Sequence, residues 1–178
     1  MVVINAILNL KVNYEIVELE SFSGNQAKVY SIVPEGATET LFEKFLSEFE
    51  NIFREEVKDI LKTIYQVGHT TGAKSSYFKP YEGKYGDFVC AMFDLPDKNL
   101  RLYCMRFGTV AIILGGGAHK PKEIKSWQQD TKLSKVAIEM IRYANEILKQ
   151  IDNGEIYWSA DKTELEGNLK NYENEEDN

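Results

Sequence analysis

One histidine and three lysines follow a run of three glycines near the middle of the chain. The segment reads "AIILGGGAHKPKEIK", and it places His119, Lys120, Lys122 and Lys125 in quick succession. Lysine attracts phosphate as a point charge, and an imidazole exchanges protons near neutral pH. The cluster therefore indicates chemistry on a phosphate-bearing substrate, with a solvated basic loop as the alternative.

A second pair of residues with chemical potential lies in the preceding strand, "NLRLYCMRF". Side chains alternate between the two faces of a strand, so Arg101 and Tyr103 share one face, while Leu102 and Cys104 share the other. We predict that the leucine face packs on a helix and that the arginine face stays open. There a guanidinium would bind phosphate oxygens and the phenol ring would stack on a base. The alternative is a solvated or helix-covered face.

The glycine run is not a phosphate-binding P-loop, because it lacks that motif's spacing and no helix begins directly after it. Three glycines permit positive φ angles and a β-bulge, so we predict a flexible exit from the strand. Their backbone N–H groups could also approach an anion, which makes Gly116 and Gly117 candidate binding residues.

Composition limits the other possibilities. The chain has 178 residues, two histidines and two cysteines, Cys90 and Cys104, which are not spaced as a metal-binding pair. We therefore expect no metal and no cofactor, and we interpret both cysteines as reduced, buried thiols. No apolar run approaches the ~20 residues that span a bilayer, and no signal peptide is recognisable, so we predict a cytoplasmic protein without a membrane partner.

Charge is unevenly distributed along the chain. The net charge is −7, yet residues 70–135 carry 11 basic and 6 acidic side chains. Local fields rather than the average charge decide whether a polyanion is attracted. The basic middle third therefore keeps RNA among the possible partners.

The elements that must position these residues follow from periodicity and turn signals. "SGN" at residues 23–25 predicts a hairpin, and Thr40 with Glu43 forms a capping box before a helix or a helix pair broken near residues 50–51. Three antiparallel strands follow, with a turn at "PDKN", and then a closing helix over residues 134–151. This order predicts an α+β domain over residues 1–155 and an acidic, mobile tail over residues 156–178.

The pattern from "FEKFL" through "FKPYEGKYGDFVCAMFDLPDKNLRLYCMRFGTVAIILGGGAHKPK" resembles the RelE/HigB superfamily of type II toxin–antitoxin toxins. The resemblance rests on the strand "LRLYC", the apolar strand "AIIL" and the lysines after the glycines, and it covers residues 40–151. It implies a small α+β fold and a metal-independent endoribonuclease that cleaves messenger RNA on the ribosome. It also implies an antitoxin partner, for which a helix-turn-helix protein is one candidate.

The resemblance assigns roles to residues of this chain. Arg101, Tyr103, His119 and Lys120 would be catalytic, with His119 as general acid or base. Lys79, Lys122 and Lys125 would bind the substrate. Two other hypotheses remain: a non-catalytic, toxin-like module that binds a helix-turn-helix partner, and an enzyme that uses the glycine run to bind a small anionic metabolite.

Overall fold

The structure is a computed structural model that describes residues 11–80, 88–93 and 95–172. These residues form an α+β fold, as predicted, with three α-helices and nine strands in the described ranges. The strands are β1 (Tyr14–Glu18), β2 (Lys28–Pro34), β3 (Phe78–Lys79), β4 (Val89–Met92), β5 (Leu100–Phe107), β6 (Ala111–His119), β7 (Ile156–Trp158), β8 (Leu165–Gly167) and β9 (Lys170–Asn171). The helices are α1 (Leu41–Phe49), α2 (Arg54–Gln66) and α3 (Thr131–Asp152).

Seven strands form one mixed sheet in the order β3-β4-β5-β6-β2-β1-β9, and β7 pairs with β8 in a separate hairpin. The predicted hairpin β1–β2 and the predicted meander β4–β5–β6 are both antiparallel neighbours. The sheet is not wholly antiparallel, because β2 and β6 run parallel. This pairing joins segments about 80 residues apart, which no local sequence signal specifies.

Helices cover both faces of the sheet. On one face, α1 and α2 bury an aromatic and aliphatic stripe that includes Phe42, Phe45 and Ile60 against Leu102 and Leu114. On the other face, α3 packs on a second core. Each fully buried side chain of this size contributes about 1.5–3 kcal/mol. The sheet is therefore the middle layer of three.

The helix starts follow local rules. Thr40 and Glu43 form the predicted capping box at α1, and each side chain accepts a hydrogen bond from the other residue's backbone N–H. Of the two alternatives that the sequence left open, one helix or a pair, the structure has the pair, since α1 ends at Phe49 and α2 begins at Arg54. Asp130 caps α3 by accepting a hydrogen bond from Leu133 N.

The predicted tail requires a correction. Residues 156–172 do not extend from the domain but form β7, β8 and β9, and β9 pairs with the outer side of β1. Ile156 and Leu165 are buried in the core beneath α3. The remaining residues of the predicted tail, 173–178, lie outside the described residues.

Candidate functional site

Arg101 and Tyr103 are not on an open face, which corrects the prediction for these two candidate catalytic residues. Both side chains are completely buried. They lie on the same face of β5, as the alternation predicted, and Arg101 Nη1 donates a hydrogen bond of 3.4 Å to Tyr103 Oη. Neither side chain can reach a bound RNA in this arrangement.

The physical reason is the closing helix. Tyr103 and Met105 pack in the core that α3 covers, together with Ala137 and Met140 of that helix. The sequence predicted α3 correctly, but its position over this particular face depends on the path of the chain after β6. The strand face that was expected to bind phosphate is therefore part of the protein interior.

The glycine run is also placed differently from the prediction. Gly116 and Gly117 lie within β6 rather than in a flexible exit, and neither has a positive φ. The β5–β6 register shifts between Leu102 and Cys104, an irregularity of the kind that the glycines permit. A Cβ atom on Gly117 would overlap Arg101 O and lie 2.7 Å from the Phe45 ring, so glycine here allows a close approach of α1.

The predicted basic residues do not all lie in one place: those at the end of β6 are close in sequence, and Lys79 is distant from them. His119 is exposed at the end of β6, and its ring stacks on Phe53 with centroids 5.3 Å apart. Lys122 and Lys125 are exposed in the segment that leads to α3, and Lys120 N donates to Asn99 O. Lys79 is separate: it lies on the edge strand β3, three strands from β6, or about 14 Å at the usual strand spacing.

A crevice opens where β2 and β6 separate. Their parallel pairing ends at Ser31 and Leu114, although β2 continues to Pro34 and β6 to His119. Buried Ser31 holds this point: its Oγ donates to Leu114 O at 2.8 Å and accepts from Phe42 N at 3.4 Å. Beyond it, residues 115–119 of β6 have no β2 partner in the described register.

The crevice is a cavity of about 380 Å³ between α1, α3 and the free part of β6. Its apolar lining comes from aromatic and aliphatic side chains of both helices and from the small residues of the strand. Its polar lining consists of three lysines, two glutamates and one histidine. The lining residues are Leu41, Lys44, Phe45, Glu48, Phe49, Gly116, Gly117, Ala118, His119, Lys132, Lys135, Val136 and Glu139.

Charge in the crevice is mixed, with cations in excess. Burial raises the pKa of the Glu139 carboxyl, while Lys44, Lys135 and Arg142 act in the opposite direction. Because α3 runs antiparallel to β6, with Met140 over Gly115 and Val136 over Gly116, Glu139 lies at the end of the crevice away from His119. One end therefore presents His119 and Lys132, and the other presents Lys44 and Glu139.

The lysines of the crevice can bind an anion, and His119 can exchange a proton. Glu139 and His119 lie at opposite ends of the crevice, so they cannot act as acid and base on the same substrate atom. Sequence reasoning found His119, Gly116 and Gly117 but missed Lys44, Lys132 and Lys135 as partners of the same site. The signal that locates the crevice is the parallel β2–β6 pair, which is visible only in three dimensions.

Among residues 11–80, 88–93 and 95–172, no group of three or more His, Cys, Asp or Glu side chains is arranged to hold a metal ion. Within the same ranges, no helix combines the length and the apolar character required to cross a bilayer. Comparisons with protein-family models, with curated proteins and with solved structures found no match to this chain.

Proposed function

We propose that the chain is a RelE/HigB-like toxin that acts on RNA, with the crevice and its basic approach as the site. The observation that carries this proposal is the exposed His119 at the mouth of a crevice bordered by Lys44, Lys132 and Lys135. Lysines near a phosphate stabilise the charge that develops during transfer, and a histidine supplies a general acid or base. Lys122 and Lys125 would bind the neighbouring phosphates.

The proposal moves the catalytic roles away from the residues that the resemblance assigned. Arg101 and Tyr103 would support the fold beneath the site, because their side chains are buried. His119 keeps its proposed role, and the lysines of α1 and α3 take the electrostatic role. The basic segment of residues 119–135 supports an RNA substrate, since lysine-rich surfaces bind a phosphate backbone.

A second candidate function is a non-catalytic module that binds a helix-turn-helix partner. The burial of Arg101 and Tyr103 favours it, because an interaction module can retain the fold without an exposed catalytic set. This candidate predicts that expression is harmless and that the chain co-purifies with a helix-turn-helix protein encoded by a neighbouring reading frame.

Induced expression in a bacterium separates the two candidates. If the chain cleaves RNA, the wild type arrests growth and His119→Ala relieves the arrest. His69→Ala is the matched control, because His69 is the other histidine and stacks on Tyr65 away from the crevice. Purified wild type should also cleave messenger RNA on ribosomes.

The results that oppose the ribonuclease proposal are equally definite. A harmless wild type at good expression, with a captured helix-turn-helix protein, supports the interaction module. If growth arrest persists in a folded His119→Ala variant, the crevice mouth takes no part in the mechanism.

A further inference from the structure

The two cysteines of the chain lie directly opposite one another on neighbouring strands. Cys90 of β4 pairs with Cys104 of β5 in the antiparallel register. Opposite residues of an antiparallel pair have Cα atoms about 4.5–5.5 Å apart, and their side chains point to the same face of the sheet. Disulfide bonds usually join residues whose Cα atoms are about 4.4–6.8 Å apart. The register therefore places these two residues where a bond between their sulfur atoms requires no movement of the strands.

Both side chains are thiols in this structure, and each donates a weak hydrogen bond. Cys104 Sγ donates to Cys90 O at 3.8 Å, so it is already directed towards β4. Cys90 Sγ donates to Phe88 O, also at 3.8 Å. Because a thiol is a weak donor, neither hydrogen bond holds its sulfur atom firmly in place. Rotation of the Cys90 side chain away from Phe88 O is the change that brings the two sulfur atoms together.

The two thiols differ in their access to solvent. Cys104 is completely buried, whereas Cys90 is partly exposed, which corrects the expectation that both are buried. Burial raises the pKa of the Cys104 thiol well above its usual value, the nearby Cys90 adds to this effect, and Arg106 acts in the opposite direction. β3 ends at Lys79, opposite Ala91, so Cys90 lies one residue beyond the last β3–β4 pair. A reagent in water therefore meets Cys90 first, while Cys104 stays a protonated thiol.

The strand that carries Cys90 is short and strained at both ends. β4 has four residues, and it lies between Phe88, with a φ of 58°, and Phe93, with a φ of 64°. A left-handed backbone is costly for a bulky residue and persists where the surrounding structure imposes it. β4 pairs with β3 at two positions and with β5 at four, so β5 is its principal attachment. A covalent bond from Cys90 to β5 would strengthen this attachment.

We propose that Cys90 and Cys104 form a dithiol that hydrogen peroxide oxidises to a disulfide, in which Cys90 reacts first and Cys104 closes the bond. An accessible thiol beside a second cysteine is the usual arrangement of a reversible redox site. Disulfides in reducing compartments are usually of this transient kind. The inference goes beyond the proposed action on RNA and does not depend on it, because neither cysteine lines the crevice.

The reaction balances in two steps. The Cys90 thiolate attacks one oxygen of the peroxide, the O–O bond breaks, and the departing hydroxide takes up the proton that Cys90 released, which gives water and a sulfenic acid. The Cys104 sulfur then attacks the Cys90 sulfur, the S–O bond breaks, and the second hydroxide leaves as water with the Cys104 proton. The two thiols together lose two electrons, and these reduce one peroxide to two waters.

The test follows both thiols of the full chain during treatment with hydrogen peroxide at neutral pH. We expect both thiols to be lost, and a non-reducing digest analysed by mass spectrometry should contain peptides joined through Cys90 and Cys104. Dithiothreitol should restore both thiols. Because the bond lies within one chain, the oxidised protein should migrate as a single chain in a non-reducing denaturing gel. Its melting temperature should rise, since the cross-link constrains the unfolded chain.

Two variants separate the roles of the cysteines. In Cys104→Ala, oxidation should stop at the Cys90 sulfenic acid, which dimedone traps. Cys90→Ala is the matched control, in which Cys104 should remain unmodified until the protein is denatured. If Cys104→Ala does not fold, alkylation of the wild type with iodoacetamide tests the same difference. Cys90 should be labelled in the native protein, and Cys104 only after denaturation.

Four results would overturn the inference: two intact thiols after treatment with millimolar peroxide, disulfides between chains in place of the internal bond, alkylation of native Cys104 as fast as that of Cys90, or a lower melting temperature in the oxidised protein. The proposed function is scored separately by growth arrest and RNA cleavage. Cys90→Ala should leave both unchanged in the absence of peroxide, so a harmless wild type refutes the ribonuclease and leaves the dithiol.

Discussion

Arg101 and His119 lie on neighbouring strands, yet their surroundings are opposite. His119 pairs with Leu100, directly before Arg101, and the two basic side chains point to different faces of the sheet. Arg101 is completely buried on the face that also carries Tyr103, whereas His119 is exposed in the part of β6 that no longer pairs with β2. A reactive side chain on a strand is therefore available only if no helix crosses its face, and the connections between strands decide this.

Substitution of Arg101 is the most direct test of the contrast between Arg101 and His119. We expect Arg101→Ala to lower the free energy of unfolding by about 2–5 kcal/mol, because truncation of a completely buried side chain leaves a void. Arg101→Met, which keeps most of the volume, should cost much less. Chemical denaturation measures both values. If both variants keep wild-type stability but lose RNA cleavage, Arg101 acts on substrate and the comparison fails.

The next largest effect is expected at the glycines between the two regions. Gly117→Ala should destabilise the fold by about 1–3 kcal/mol, because its Cβ would overlap Arg101 O and press on the Phe45 ring. Gly116→Ala is the matched control, and we expect it to be neutral or stabilising by about 0.5–1 kcal/mol, since its Cβ makes an ordinary contact. Similar melting temperatures for the two variants would contradict the close packing of α1 on β6.

An effect of similar size tests the point where β2 and β6 separate. Ser31→Ala removes the partner of Leu114 O and of Phe42 N, and it should cost about 1–3 kcal/mol. Ser47→Ala is the control, because Ser47 is exposed and bonds only within its own helix turn, to Lys44 O. Equal stability of the two variants would show that Ser31 does not hold the end of the parallel pair.

The smallest effect tests whether water is excluded from the core between α3 and the sheet, where Tyr103 is buried. Burial, with the Glu139 carboxylate, raises the pKa of Tyr143 to about 12. The unfolded chain loses this proton near pH 10. Its stabilising contribution is therefore complete below about pH 10 and is lost as the pH rises from about 10 to about 12. The slope attributable to Tyr143 is at most about 1.4 kcal/mol per pH unit.

Denaturation over this alkaline range measures that slope. Tyr143→Phe should lose stability less steeply than the wild type, whereas Tyr157→Phe should follow the wild type, because Tyr157 is half exposed. Identical slopes in all three proteins would mean that water reaches the core between α3 and the sheet. The contrast between the buried surroundings of Arg101 and the exposed surroundings of His119 would then weaken.

Local signals predicted the elements that depend on nearby residues. The capping box at Thr40, the hairpin around Gly24 and the turn before Leu100 each involve contacts within a few residues. The face alternation of β5 was also predicted, with Leu102 towards α1 and α2 and Tyr103 on the other side. These parts of the fold could be predicted because their energetics are local.

Long-range pairings could not be predicted in the same way. The β2–β6 pair, which creates the crevice, and the packing of α3 on Tyr103 both depend on segments far apart in sequence. The segment of strands β7 to β9 was interpreted as a tail because it is acidic and poor in apolar residues, whereas the structure anchors it through single buried residues such as Ile156 and Leu165. Such a pattern carries no apolar periodicity.

The two outermost strands of the sheet, β3 and β9, have two residues each. Strand edges that short offer few backbone groups to a neighbouring molecule, which limits sheet-to-sheet association. During synthesis, however, β1 leaves the ribosome long before β9 exists to cover it. A growing chain therefore leaves the outer edge of β1 at Tyr14 and Glu15 unpaired until residues 170 and 171 have emerged, and an unpaired strand edge favours aggregation.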